Sequence, residues 1–190
     1  MPNHELGMIP SATSNRVVRP QTHWMPPPRG FFKVNCDAAW GPPSTAGLGV
    51  VVRDSTGRSI SGLAIKTTCG TVAEAEASAI LHGISLASTL NLRKVHIESD
   101  AKEVVLDLNG LGRGKNWKTY PILDHIRRLA TGFEECNWDW VPREANKAAH
   151  CAASLACGTV GPQRWANQPP PSLTLVLRND GLPCPPATEM

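Results

Sequence analysis

The strongest constraint on the fold of this chain is a change of hydrophobic period near residue 70. Over residues 31–38, Phe32, Val34, Cys36 and Ala38 alternate with Lys33, Asn35 and Asp37, the pattern of a half-buried strand that ends at an acid. Residues 46–53 read as a second strand. The turn Asp54-Ser55-Thr56-Gly57 leads into a third at 58–65, so the three form an antiparallel meander. From 72 to 90 the period changes: Ala73, Ala77, Ile80, Ile84 and Ala87 recur every three or four residues with no proline between them, which predicts a long helix. A meander followed by a helix excludes both an all-helical and an all-strand domain.

The rest of the chain continues the alternation. Val95 and Ile97 mark a fourth strand at 94–99, and Asp100 followed by Glu103 has the capping-box spacing that opens a helix to about 109. A glycine-rich loop spans 110–114, Pro121 suits the first turn of a helix to 130, residues 136–141 read as a fifth strand, and a last helix covers 144–156 before Gly158. This order predicts an α/β fold, a mixed five-stranded sheet whose first three strands are antiparallel, with helices on both faces. Of the 17 prolines, six precede residue 31 and seven follow residue 157. The expected organisation is therefore an irregular lead-in at 1–29, one domain at 30–157, and a Pro-rich tail at 158–190.

Charge and composition narrow the function by exclusion. The formal net charge is +3, and residues 31–157 carry 14 Lys and Arg against 13 Asp and Glu, so any grip on phosphates has to come from a local patch. No run of about 18 apolar residues suggests a membrane helix, and Pro2, Pro10 and Pro20 interrupt any signal peptide. Cys36, Cys69, Cys136, Cys151, Cys157 and Cys184 contain no Cys-x-x-Cys pair, which signals neither zinc nor a disulfide framework. The expectation is an intracellular monomer of the nucleus or cytoplasm, neither secreted nor bound to membrane. Residues 110–115 lack the spacing of a phosphate loop, and no Gly-x-Ser-x-Gly elbow is present.

Three acids remain. Asp37 ends the first strand and Asp100 the fourth, while Glu76 shares the apolar stripe of the long helix with Ile80, Gly83 and Ala87. Carboxylates on a buried face repel one another unless a cation meets them, and hard divalent ions are their natural partners. The residues alone leave other uses open: a turn acid at Asp37, an N-cap at Asp100, an ion pair at Glu76.

The segments Asn35-Cys36-Asp37-Ala38-Ala39, Ala46-Gly47-Leu48-Gly49-Val50-Val51-Val52-Arg53-Asp54, Ala75-Glu76 with Ala79 and Gly83, and Glu98-Ser99-Asp100 resemble, in order, the type 1 RNase H domain. The lead-in Trp24-Met25-Pro26-Pro27-Pro28-Arg29-Gly30 and the later Val141-Pro142-Arg143-Glu144-Ala145-Asn146-Lys147 look like the reverse-transcriptase-like RNase H domains that plant genomes carry as descendants of non-LTR retroelements. The resemblance covers roughly residues 24–157, with a weaker echo from Trp165 to Asp180.

It implies hydrolysis of the RNA strand of an RNA–DNA hybrid with two Mg²⁺ or Mn²⁺ ions. Asp37 would bridge both ions, and Glu76 and Asp100 would hold the one on the leaving-group side. The chain departs from the family at the fourth acid, since His150 stands four residues after Asn146 where an Asp is usual. His150 is then either a surviving nitrogen ligand, which Mn²⁺ tolerates better than Mg²⁺, or an ordinary helix residue at a lost acid position. The stretch between Val141 and Asn146 is also too short for the His-bearing loop of the cellular enzymes.

Ala38, Ala39 and Ser99, with Arg143 and Asn146, are expected along the nucleic-acid path, where 2′-hydroxyls distinguish RNA. Lys115 belongs to the only basic and aromatic cluster, Arg113, Lys115 and Lys118 with Trp117 and Tyr120, which reads either as a phosphate-binding segment or as a solvated loop. Two functions therefore stand open: a hybrid ribonuclease, or an impaired module that binds hybrid or RNA.

Overall fold

A computed structural model of the chain describes residues 22–112 and 116–180. The meander is present as β1 (Phe32–Gly41), β2 (Thr45–Arg53) and β3 (Ser59–Thr68), all antiparallel. The chain then forms α1 (Val72–Thr89) and returns as β4 (Lys94–Ser99), parallel to β1 on its other side. Next come α2 (Lys102–Leu108), α3 (Tyr120–Ala130) and β5 (Glu135–Trp140), the last parallel to β4. A 3₁₀ turn at Arg143–Ala145 leads into α4 (Lys147–Gly158), followed by β6 (Gln163–Ala166) and α5 (Pro171–Asn179). The strand order is β5-β4-β1-β2-β3-β6.

The mixed α/β sheet with helices on both faces is as the sequence predicts, with one strand more than the expected five. The sixth comes from the Pro-rich stretch after 158, which composition alone makes irregular. There Gln163–Ala166 pairs with β3, and α5 seats the fully buried Leu173 and the buried Leu177 against Val51, Ala148 and Ala152. Pro171 falls in the first turn of α5, where its missing N–H costs no hydrogen bond.

Central placement changes β1 as well. Lys33, Asn35 and Asp37, read from alternation as the wet side of a half-buried strand, are only 6%, 0% and 3% exposed. With β2 and β4 on either side and helices above and below, neither face of β1 meets water over residues 33–37.

Close approach of the helices depends on small residues. Gly83 of α1 lies over β1, where a Cβ would stand 2.4 Å from Cys36 Sγ. On the opposite face α4 presents buried Ala148, Ala149, Ala152, Ala153 and Ala156, and a Cβ on Gly49 would lie 2.3 Å from both Ala149 O and Ala153 N. Thr71 caps α1, its hydroxyl oxygen accepting from the Glu74 N–H at 3.2 Å. The capping box expected at Asp100 does not form: Ala101 is the N-cap of α2 with no side-chain bond, which leaves the Asp100 carboxylate for other partners. The final helix starts at Lys147 rather than 144, because 143–145 form the 3₁₀ turn, and it runs through Gly158 before Thr159 ends it.

Candidate metal centre

Parallel pairing places the site. Cys36 of β1 lies opposite Ser99 of β4, so Asp37 and Asp100, the residues that follow each, lie side by side. Asp100 stands just past the end of β4, whereas Asp37 does not end its strand as expected, because β2 carries the pairing of β1 on to Gly41. Glu76, in the second turn of α1, reaches the same point. One ligand oxygen from each of the three carboxylates lies within 4.8 Å of the others. This is the only such cluster of His, Cys, Asp or Glu among the described residues.

Crowding shows in the proton affinities. Burial, then the charges of Asp37 and Asp100, push the Glu76 carboxyl up to about 9, although the Ala38 N–H and the Arg143 guanidinium pull the other way. Burial and Asp100 raise Asp37 to about 6 against the hydrogen bond from His150. Glu76 Oε2 is buried without any hydrogen-bond partner. A buried carboxylate oxygen lacking a donor, beside two further carboxylates, fits a hard divalent cation: the donors are all oxygens, and their repulsion is what such an ion relieves.

His150 projects from α4 onto the trio. Its Nδ1 is 2.8 Å from Asp37 Oδ2, while Arg143 Nη2 lies 2.9 Å from Nε2 and 3.1 Å from Nδ1. A carboxylate can only accept, so His150 Nδ1 donates to Asp37, while the Arg143 guanidinium lies against both nitrogens of the same ring. Both ring nitrogens are thereby engaged.

The expected nucleic-acid residues separate by exposure. Arg143 is exposed, and Ala38 and Ala39 are half-buried beside Asp37. Ser99 and Asn146 are 0% and 1% exposed, so neither side chain reaches a ligand in this structure. Ser99 Oγ accepts from the Ala101 N–H at 3.1 Å, and Asn146 Nδ2 donates to Cys36 O at 2.9 Å and to Asp100 Oδ1 at 3.3 Å. Asn146 thus belongs to the frame of the site rather than to its surface. Lys115 and Arg113 lie outside the described residues; Lys118 sits over the exposed Trp117 ring, 5.8 Å from its centroid.

Sequence reasoning misses the polar network behind the trio. Lys33 pairs with Glu98 at 2.6 Å, Arg53 with Asp180 at 2.7 Å, and Trp24 Nε1 donates to Asn35 Oδ1 at 2.8 Å. The available signal is the run of polar residues on β1 opposite Arg53 of β2, in register with Lys33.

Residues 35–156 match the family model described as reverse transcriptase-like. The chain belongs to that family. An Arabidopsis thaliana protein that carries the provisional name of ribonuclease H protein is 28% identical over 184 residues, 94% of this chain but 29% of its own length. The chain therefore spans under a third of that relative. Among solved structures, the RNase H1 of the archaeon Halobacterium salinarum superposes with a TM-score of 0.65 at 21% identity, covering 67% of this chain and 98% of that one. The N-terminal RNase H domain of a Mycobacterium tuberculosis protein gives 0.64 at 24% identity over 67% and 94% of the two chains. LC11-RNase H1, solved in complex with an RNA/DNA hybrid, gives 0.62 at 18% identity over 66% and 95%. At these identities the family's structural neighbours establish the RNase H-like fold. No helix among the described residues is long and apolar enough to cross a membrane.

Proposed function

We propose that the chain is a divalent-cation-dependent nuclease that hydrolyses the RNA strand of an RNA–DNA hybrid. The observation that carries this reading is the convergence of Asp37, Glu76 and Asp100 within 4.8 Å around a Glu76 oxygen that has no partner. Asp37, Glu76 and Asp100 would hold Mg²⁺ or Mn²⁺, which supplies Lewis-acid catalysis of phosphodiester hydrolysis. Ala38 and Ala39 add no bulk beside Asp37, so a sugar-phosphate backbone can approach the carboxylates closely. Arg143, exposed and in contact with His150, would meet a phosphate and offset the charge that gathers there. The hybrid held by LC11-RNase H1 makes this duplex the substrate class to test first.

A second reading has its own observation. His150 stands at the family's fourth acid position and occupies Asp37 Oδ2, so it adds a ring N–H where an acid would add a negative charge. This favours weak Mg²⁺ binding, a preference for Mn²⁺, and in the limit a module that binds hybrid without cutting it. A panel of end-labelled duplexes separates the readings. Cleavage confined to the RNA strand of the hybrid, with duplex DNA and duplex RNA left whole, supports the nuclease. A retarded but intact hybrid in both metals supports the binding module, and absence of both effects refutes each.

A further inference from the structure

The trio is framed by a chain of side-chain amides that begins outside the family-matched segment. Trp24 precedes residue 35 and Asp180 follows residue 156, yet both end on the same buried group. The fully buried Arg53 stacks on the Trp24 ring, 3.5 Å from its centroid, pairs through Nη1 with Asp180 Oδ2 at 2.7 Å, and donates through Nη2 to Asn35 Oδ1 at 3.3 Å. The Trp24 indole N–H donates to the same Asn35 oxygen.

Two donors on that oxygen fix which way the Asn35 amide faces. Its Nδ2 must then point at acceptors, and it donates to Glu98 Oε2 at 2.9 Å and to Asn146 Oδ1 at 3.2 Å. Asn146 is fixed in turn: its oxygen accepts from Asn35, so its Nδ2 faces Cys36 O and Asp100 Oδ1. Flipping Asn35 would set its oxygen against the Glu98 carboxylate and its N–H against the Arg53 guanidinium and the Trp24 indole N–H, and flipping Asn146 would set its oxygen against the Asp100 carboxylate and its N–H against that of Asn35. Donor direction is thus transmitted from the two flanking segments to Asp100.

We infer that Trp24 and Asp180 are positioning residues for the acidic site, acting through Arg53, Asn35 and Asn146 to orient Asp100. This rests on reading the trio as a cation site. Trp24→Phe keeps an aromatic ring under Arg53 but removes the indole N–H along with part of the ring system; Asp180→Ala removes the counter-ion of Arg53.

The test uses the full chain and an Ile84→Val core variant as control for general loss of stability. Hydrogen exchange of the Asn146 side-chain amide is followed by NMR without metal, and Mn²⁺ affinity is measured by calorimetry. Both flanking variants should speed Asn146 exchange and weaken Mn²⁺ binding about tenfold, the usual scale for losing a partner behind a metal ligand, while Ile84→Val does neither. Unchanged exchange and unchanged affinity in Trp24→Phe and Asp180→Ala would overturn the inference, as would an equal effect in Ile84→Val. A wild-type protein that binds Mn²⁺ but leaves hybrid intact would sink the nuclease reading while the affinities still decide this one. If it binds no Mn²⁺, the exchange rates decide.

Discussion

Replacing Glu76 by Gln should stabilise the metal-free protein at pH 8 and abolish its response to divalent cations. Burial and the neighbouring acids raise the Glu76 carboxyl from 4.5 to about 9, so the folded state holds that proton more tightly than the unfolded state does. The linked stability is fully present below pH 4.5 and is lost progressively as pH rises towards 9. At about 1.4 kcal/mol per pKa unit, the interval from 4.5 to 8 sets an upper limit of about 5 kcal/mol. Part of the rise is repulsion shared with Asp37 and Asp100, which brings the expected gain for the neutral amide to about 2 kcal/mol, or a Tm increase of about 4–8 °C in a chain of this size. Gln keeps the shape and an acceptor for the Ala38 N–H. Denaturant unfolding of both proteins in chelator should give nearly equal stabilities at pH 5 and diverging ones at pH 6.5 and 8, with Mn²⁺ then stabilising only the wild type. A variant that is less stable than wild type at pH 8, or that loses stability with pH just as steeply, would refute the argument.

Other substitutions test separate parts of the account. His150→Asp restores an anionic oxygen beside Asp37 and should raise Mg²⁺-dependent cleavage about tenfold or more, read from initial rates; an unchanged rate in a folded protein counts against the site assignment. Gly49→Ala drives a methyl into the backbone of α4 and should cost about 3 kcal/mol, measured by denaturant unfolding, whereas a neutral effect would mean that α4 does not pack this closely. Leu173→Ala should cost about 3 kcal/mol in the same assay if α5 belongs to the folded unit, and almost nothing if it does not.

What the sequence reveals of this site depends on how local each signal is. Asp37 is legible because it stands near the end of an alternating run, although β1 continues past it to Gly41, Asp100 because it directly follows one, and Glu76 because it interrupts an apolar helical stripe. Their meeting follows from parallel pairing of β1 with β4, which the order of elements implies. The capping-box spacing at Asp100 and Glu103 is a competing local signal that loses: the carboxylate faces the trio, and Ala101 caps the helix. Burial of Lys33, Asn35 and Arg53 is not legible, because alternation cannot tell an outer strand from one covered on both faces. The Arg53–Asp180 pair spans 127 residues and has no local signature at all. Prolines at 169–171 mask α5, although Leu173 and Leu177 stand four apart, as a helix anchored at one face requires. Ser99 and Asn146 mislead in the opposite sense: each neighbours or faces one of the three acids, yet its side chain is buried in the frame.

Strand-resolved cleavage of an end-labelled RNA–DNA hybrid, by wild type and by Asp37→Asn, in Mg²⁺ and separately in Mn²⁺, tests the central claim most directly. The account predicts that wild type cuts the RNA strand alone, faster in Mn²⁺, and that Asp37→Asn cuts nothing while keeping its fold. Intact hybrid with both metals, or equal cutting by the variant, would contradict it.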